Sequence, residues 1–156
     1  MAKISKDTER ISLKFKNRLI DLLYDEDLDV ADFCKKSGIS QTPIRNALTF
    51  GILPSVLILI KIADFFKVSF EYLICVRDEN DFIESVIPCS FYERYDVLRK
   101  EKNVKHSQIA NVMPFSRNVI SEWKRNNTIP TLDNLKELAR YFEVSIDYLL
   151  GRTDYK

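Results

Sequence analysis

Apolar residues fall along this chain in short clusters spaced three and four apart and separated by polar turns, the pattern of short helices that each bury one face. The pattern is sharpest between residues 91 and 151. Phe91 to Lys102 carries Tyr95 and Leu98 on one face, and His106 to Val112 makes two turns with Ile109 and Ala110 inward. Ser116 stands as an N-cap before a segment in which Val119, Ile120 and Trp123 form a buried stripe, which leaves Arg117, Asn118, Ser121 and Glu122 facing out. Pro130 follows a polar turn, and Thr131 can cap a helix with Leu132, Leu135, Leu138 and Ala139 inward. Ser145 caps a last short helix, Ile146 to Leu150, which Gly151 stops. The expectation is five short helices.

The same pattern occurs twice. Sliding the sequence against itself by 76 positions aligns Phe15 with Phe91 and runs without a gap to Leu73 on Leu149. Arg18 falls on Arg94, Leu22 on Leu98, Ser40 on Ser116, Ile44 on Ile120, Pro54 on Pro130 and Leu59 on Leu135. Agreement is densest at the end, where Ala63, Phe66, Val68, Ser69, Tyr72 and Leu73 fall on Ala139, Phe142, Val144, Ser145, Tyr148 and Leu149. The expected organisation is an N-terminal arm at 1–10, a first helical domain at 11–76, a linker at 77–90 with a helical turn at Asp81 to Val86, a second domain at 91–151 and a frayed tail at 152–156.

Composition narrows the class. Only 3 glycines and 5 prolines leave little material for tight turns, and 46% apolar content is that of a folded globule, so the chain reads as all-α. The N-terminus lacks an apolar h-region, and the apolar run Val56 to Ile62 is interrupted by Lys61 and too short to span a bilayer. A cytoplasmic protein without a membrane partner is expected. Cys34, Cys75 and Cys89 are odd in number and widely spaced, and His106 is the sole histidine, so no metal, no cofactor and no disulfide framework is expected. His106 also lacks a nucleophile or carboxylate at recognisable spacing, so neither an enzyme nor a small-molecule substrate is expected.

Four ordered stretches carry a resemblance: Leu98-Arg-Lys-Glu-Lys-Asn-Val-Lys-His-Ser-Gln-Ile-Ala, then Phe115-Ser-Arg-Asn-Val-Ile-Ser-Glu-Trp-Lys-Arg-Asn, then Ile129-Pro-Thr-Leu-Asp-Asn-Leu, then Val144-Ser-Ile-Asp-Tyr-Leu-Leu-Gly. Together they resemble the XRE-type helix-turn-helix family of phage repressors and Cro, closely in the second half and loosely in the first. The resemblance implies an all-α chain of two tandem five-helix lambda-repressor-like DNA-binding domains. It further implies transcription regulation on double-stranded DNA, often as a homodimer on a two-fold symmetric operator.

Position by position, residues 117–125 match the family's recognition helix. Arg117, Asn118, Ser121 and Glu122 fall where base edges are read, and Arg suits guanine, Asn adenine and Glu a cytosine amine. Lys105, His106 and Ser107 before it, and Lys124, Arg125 and Asn127 after it, fall where phosphates are held. The family commonly has Thr-Gln where Lys105-His106 stands, and glycine where Pro114 or Asn126 stands. Asn126 tolerates a left-handed backbone, so the helix is expected to stop there.

Charge separates the two copies. From Arg99 to Asn127 seven basic residues face two acidic ones, a net of +5, whereas the matching window Leu23 to Gly51 holds three basic and five acidic residues, a net of −2. The second copy is therefore the one attracted to a polyanion. In the first, Gln41, Thr42, Arg45 and Asn46 make at most a weak reader behind an acidic helix. Phe50, Ile52, Leu57, Ile58 and Ile60 replace mostly polar residues of the second copy, which marks an interface. Its partner is a second copy of the chain or, within one chain, either the second unit or the linker, whose residues Phe82, Ile83, Val86 and Ile87 are also apolar. The functional expectation is a repressor that reads the major groove with residues 117–125. The alternative is a protein-interaction regulator, antitoxin-like or anti-repressor, whose helix-turn-helix units do not bind DNA.

Overall fold

The computed structural model describes residues 11–156, so the expected arm at 1–10 lies outside the described residues. Regular structure among the described residues is helical, apart from one isolated antiparallel bridge between Ile11 and Ile52. The chain divides into two compact units between Asp81 and Phe82. No helix among the described residues is long and apolar enough to cross a membrane.

The first unit comprises α1 (Leu13–Asp25), α2 (Val30–Ser37), α3 (Gln41–Phe50), α4 (Val56–Phe66) and α5 (Phe70–Leu73). Side chains at Ser12, Asp29 and Ser69 accept hydrogen bonds from first-turn amides of α1, α2 and α5, which fixes where each helix begins. The core is built from Phe15 and Leu19 of α1, Phe33 of α2, Ile44 and Ala47 of α3, and Leu59 and Ile62 of α4. Phe33 stacks on Phe66 at 5.3 Å and meets Phe65 edge-on at 5.1 Å.

The second unit comprises α6 (Phe91–Lys102), α7 (His106–Val112), α8 (Arg117–Asn126), α9 (Leu132–Phe142) and α10 (Ile146–Leu149). Ser90 and Glu93 form a reciprocal capping box at the start of α6. Thr131 and Ser145 cap α9 and α10 with their side chains, whereas Ser116 occupies the N-cap of α8 without a side-chain bond.

The two units repeat each other in backbone geometry more closely than in sequence. Helices α3, α4 and α5 have the same limits as α8, α9 and α10 at an offset of 76. Left-handed residues pair at the same offset: Asp27 with Asn103, Gly51 with Asn127, Lys67 with Glu143, and Cys75 with Gly151. A left-handed backbone costs a residue with a Cβ about 1–2 kcal/mol. Its recurrence under such different side chains means that packing and helix-cap hydrogen bonds, not residue type, impose it. A cation-π contact also recurs, Arg18 over Tyr72 at 3.8 Å and Arg94 over Tyr148 at 3.9 Å. The turns before the third helix differ. Gly38 ends α2 left-handed, whereas α7 ends on an extended Met113, as the following Pro114 requires.

Three expectations are corrected. The left-handed stop of α8 is Asn127, since Asn126 is its last helical residue. No helical turn forms at 81–86. The amide of Ser85 instead donates to the carbonyl of Arg152 at 2.8 Å, that of Val86 to the carboxylate of Asp154 at 3.0 Å, and the Arg152 guanidinium lies 4.4 Å over the Phe82 ring. The tail is consequently not frayed at its start: Arg152 and Thr153 are buried, and Arg152 is ion-paired with Asp147. A Cβ on Gly151 would fall 2.1 Å from the Cys89 carbonyl oxygen, so the segment before α6 closes directly onto glycine backbone.

Candidate nucleic-acid interface

The position of α8 is set by its buried side. Trp123 is 3% exposed and meets Phe91, Tyr95 and Phe115 edge-on at 5.3, 5.7 and 5.0 Å, with Ile120 buried one turn earlier. Because the buried residues lie at 120 and 123, residues 117, 118, 121 and 122 are forced to the opposite side. Arg117, Asn118, Ser121 and Glu122 are all exposed there. The Ser121 hydroxyl donates back to the Arg117 carbonyl at 3.4 Å. Lys124 and Arg125 occupy the last turn, where cations complement the helix dipole, and both are exposed, as is Asn127.

At the start of α7, Lys105 is exposed while His106 and Ser107 are half-buried. His106 stacks on Tyr95, and its Nδ1 lies 2.9 Å from the Tyr95 hydroxyl. Burial pushes the Tyr95 hydroxyl well above its ordinary pKa, so it keeps its proton and can donate to Nδ1. With Nδ1 accepting, the imidazole proton sits on Nε2, free to donate to an anion. Burial, followed by the nearby Arg99, Lys124 and Arg117 against an opposing Asp96, lowers the His106 pKa from 6.5. The neutral form is therefore the folded state's preference. The stability it contributes is complete above the ordinary pKa and is lost as pH falls through the lowered one. Since His106 is the sole histidine, its proton resonance can be followed without assignment. The expected midpoint lies below 6.5, and a midpoint at or above that value would contradict the burial argument.

The structure redistributes the basic charge. Asp96, just outside the Arg99 to Asn127 window, binds the Arg99 guanidinium at 2.7 and 3.0 Å and Lys100 at 2.8 Å, and this holds its carboxyl below the ordinary value despite partial burial. Arg99 also donates to the Val104 carbonyl at 3.1 Å, so its fork braces the α6–α7 turn. Lys102 lies 4.7 Å over the Tyr141 ring. Lys105, Arg117, Lys124 and Arg125 make no ion pair among the described residues and are the cations left for a ligand. Asp96 was missed by the charge count, although its spacing of three and four from Arg99 and Lys100 on one helix was the available signal.

On α3, Gln41, Thr42 and Arg45 are exposed and Asn46 is half-buried. Arg45 donates twice to the Gln41 side-chain oxygen, at 3.2 and 2.8 Å, so these two groups satisfy each other. Asp25, Glu26, Asp27, Asp29 and Asp32 are exposed and form no ion pair among the described residues. Of the apolar set, Phe50 and Leu57 are each 60% exposed, whereas Ile52, Ile58 and Ile60 are half-buried, so the exposed patch is smaller than the sequence suggested. Ile83, Val86 and Ile87 are exposed as well.

The chain is similar to the HTH-type transcriptional activator BcrR of Enterococcus faecalis, with 37% identity over 39% of this chain and 30% of that protein. It is also similar to the uncharacterized HTH-type transcriptional regulator YobD of Bacillus subtilis (strain 168), with 33% identity over 41% of this chain and 57% of that protein. The matches thus span under two thirds of either relative. No solved structure matches the chain significantly. Residues 98–149, from the end of α6 through α10, match the family model described as Helix-turn-helix.

Proposed function

We propose that the chain is a sequence-specific, double-stranded DNA-binding transcriptional regulator of the repressor-like type, whose second unit lays α8 in the major groove. The observation that carries this reading is the arrangement on α8: a polar face at 117, 118, 121 and 122, fixed by buried Trp123 and accompanied by Lys105, Lys124 and Arg125, which make no ion pair among the described residues. Phosphate contacts by Lys105, the His106 Nε2–H, Ser107, Lys124, Arg125 and Asn127 dock the unit, and Arg117 and Asn118 select the sequence. Two copies of the chain place two such units on a symmetric operator, and occupancy of that operator represses. The first unit repeats the fold as a tandem partner but serves protein contact, since its acidic α2 region repels phosphates and its Arg45 is held by Gln41.

Salt dependence tests the docking half of the reading. Each phosphate contact contributes a slope of about −0.9 in log K against log salt on duplex DNA. A duplex selected from a randomised library by the full chain should bind with a steep salt dependence. Lys124→Ala with Arg125→Ala should reduce that slope by about 2 and weaken matched and random duplexes alike. A flat salt dependence in the parent chain would favour the protein-interaction reading.

A further inference from the structure

We propose that the outer face of α1 is a self-association surface on which two copies of this chain pair, helix against helix and antiparallel about a two-fold axis. The inference rests on the homodimer of the proposed function and gives it a surface. Helix α1 is apolar on two sides. Its inner side buries Phe15, Leu19 and Leu23, while on the outer side Leu13, Ile20 and Tyr24 are 64, 42 and 83% exposed. At 3.6 residues per turn these three, with Asn17, fall within about 60° of one another and form one stripe roughly 16 Å long. Ile11 and Phe50, 49 and 60% exposed, adjoin its N-terminal end, where the Ser12 amide donates to the Gly51 carbonyl at 2.7 Å. A helix apolar on both sides is a helix with a second partner.

The fold does not require this stripe. In the second unit the positions matching Asn17, Ile20 and Tyr24 are Glu93, Asp96 and Lys100, and Asp96 there is ion-paired with Lys100 and Arg99. The same framework is thus built with polar residues at these three positions, and Val97, 49% exposed, falls on the flank position matching Asp21.

The charges beside the stripe identify the occupant. Lys14 near the start of α1 and Asp21 and Asp25 near its end flank the stripe on one side, and all three are exposed. With a two-fold axis between positions 17 and 20, an antiparallel second copy sets its Tyr24 on Leu13 and its Asp21 and Asp25 beside Lys14. Symmetry repeats that pairing at the other end. A parallel two-fold pairing would set the two charged flanks on opposite sides of the pair, so Lys14 would not meet Asp21 or Asp25 of the second copy. Duplex DNA or an anionic lipid surface would meet Asp21, Asp25 and Glu26, so a second copy is the partner that this mixed flank fits.

Sedimentation equilibrium of the full chain at concentrations from about 1 to 100 μM, where a modest interface dissociates, reads the proposal. The parent chain is expected to dimerise. Ile20→Asp with Tyr24→Lys should raise the dissociation constant at least tenfold, with an unchanged circular-dichroism melt at concentrations where the parent chain is monomeric, because both side chains are exposed. Lys14→Glu alone, and Asp21→Lys with Asp25→Lys, should each weaken the dimer several-fold, and the triple variant should restore it. A monomeric parent chain overturns both this surface and the homodimer of the proposed function, leaving the DNA reading to its own salt test. A dimer indifferent to the Ile20 and Tyr24 changes overturns this surface alone. A dimer weakened by those changes but not restored by the charge exchange overturns the antiparallel pairing.

Discussion

Replacing Arg117 and Asn118 together by alanine should erase the sequence preference of the second unit while leaving it folded and still able to bind DNA. Both side chains are exposed on the first turn of α8 and Arg117 makes no ion pair among the described residues, so their removal disturbs no packing. A good bidentate side chain to base pairing is worth about 1–3 kcal/mol of discrimination. Without both pairings, affinity for the selected duplex should fall by roughly 30-fold to 10⁴-fold. Binding to a scrambled duplex should fall far less, because only the charge of Arg117 is removed there and Lys105, Lys124 and Arg125 remain. Competition between selected and scrambled duplexes measures the ratio directly. If the ratio survives in the double variant, the reading face lies elsewhere.

Helix α3 shows why the same substitutions in the first unit should matter less. Its positions equivalent to Arg117 and Ser121 hold Gln41 and Arg45, and these are already hydrogen-bonded to each other. A base edge would have to displace that contact, and phosphates would meet the five carboxylates between Asp25 and Asp32, which form no ion pair among the described residues. One scaffold therefore presents a cationic, exposed face on α8 in one copy and, in the other, a self-satisfied α3 that follows an acidic stretch at 25–32. The apolar positions follow the same division: the stripe on α1 and the exposed Phe50 and Leu57 belong to the first unit.

What the sequence disclosed was whatever has a local cause. The limits of α6 and α7 follow from apolar spacing, and the outward face of α8 follows once Ile120 and Trp123 are recognised as inward. The left-handed ends at Lys67 and Glu143 have no local signature, since neither residue favours that conformation and helix packing imposes it. The pairing of Ser85 and Val86 with the Arg152 to Asp154 segment was equally hidden. It joins two stretches without periodicity, nearly seventy residues apart, largely through backbone groups that every sequence possesses. Leu13, Ile20 and Tyr24 were visible as letters, but only the burial of Phe15, Leu19 and Leu23 shows that they face away from the core.

Trp123→Ala should destabilise the second unit more than any exposed substitution and remove DNA binding with it. The side chain is 3% exposed and is ringed by Phe91, Tyr95 and Phe115, and deleting a buried aromatic of this kind costs about 3–5 kcal/mol. For a unit of this size that corresponds to a fall in Tm of roughly 15 °C or more. The matching residue in the first unit is already alanine, Ala47, fully buried. That unit tolerates it because the second helix supplies Phe33, where the second unit has Ile109, so large and small side chains are exchanged between the second and third helices. Alanine at 123 alone leaves two small residues and a cavity. Adding Ile109→Phe to Trp123→Ala should therefore recover part of the stability, whereas Ile109→Phe in the parent chain should overpack and destabilise. Circular-dichroism melts resolve the outcome, because the second unit's transition should move while the first unit's stays. Equal shifts of both transitions, or no recovery in the double variant, would show that Trp123 does not anchor α8 in the way its contacts indicate.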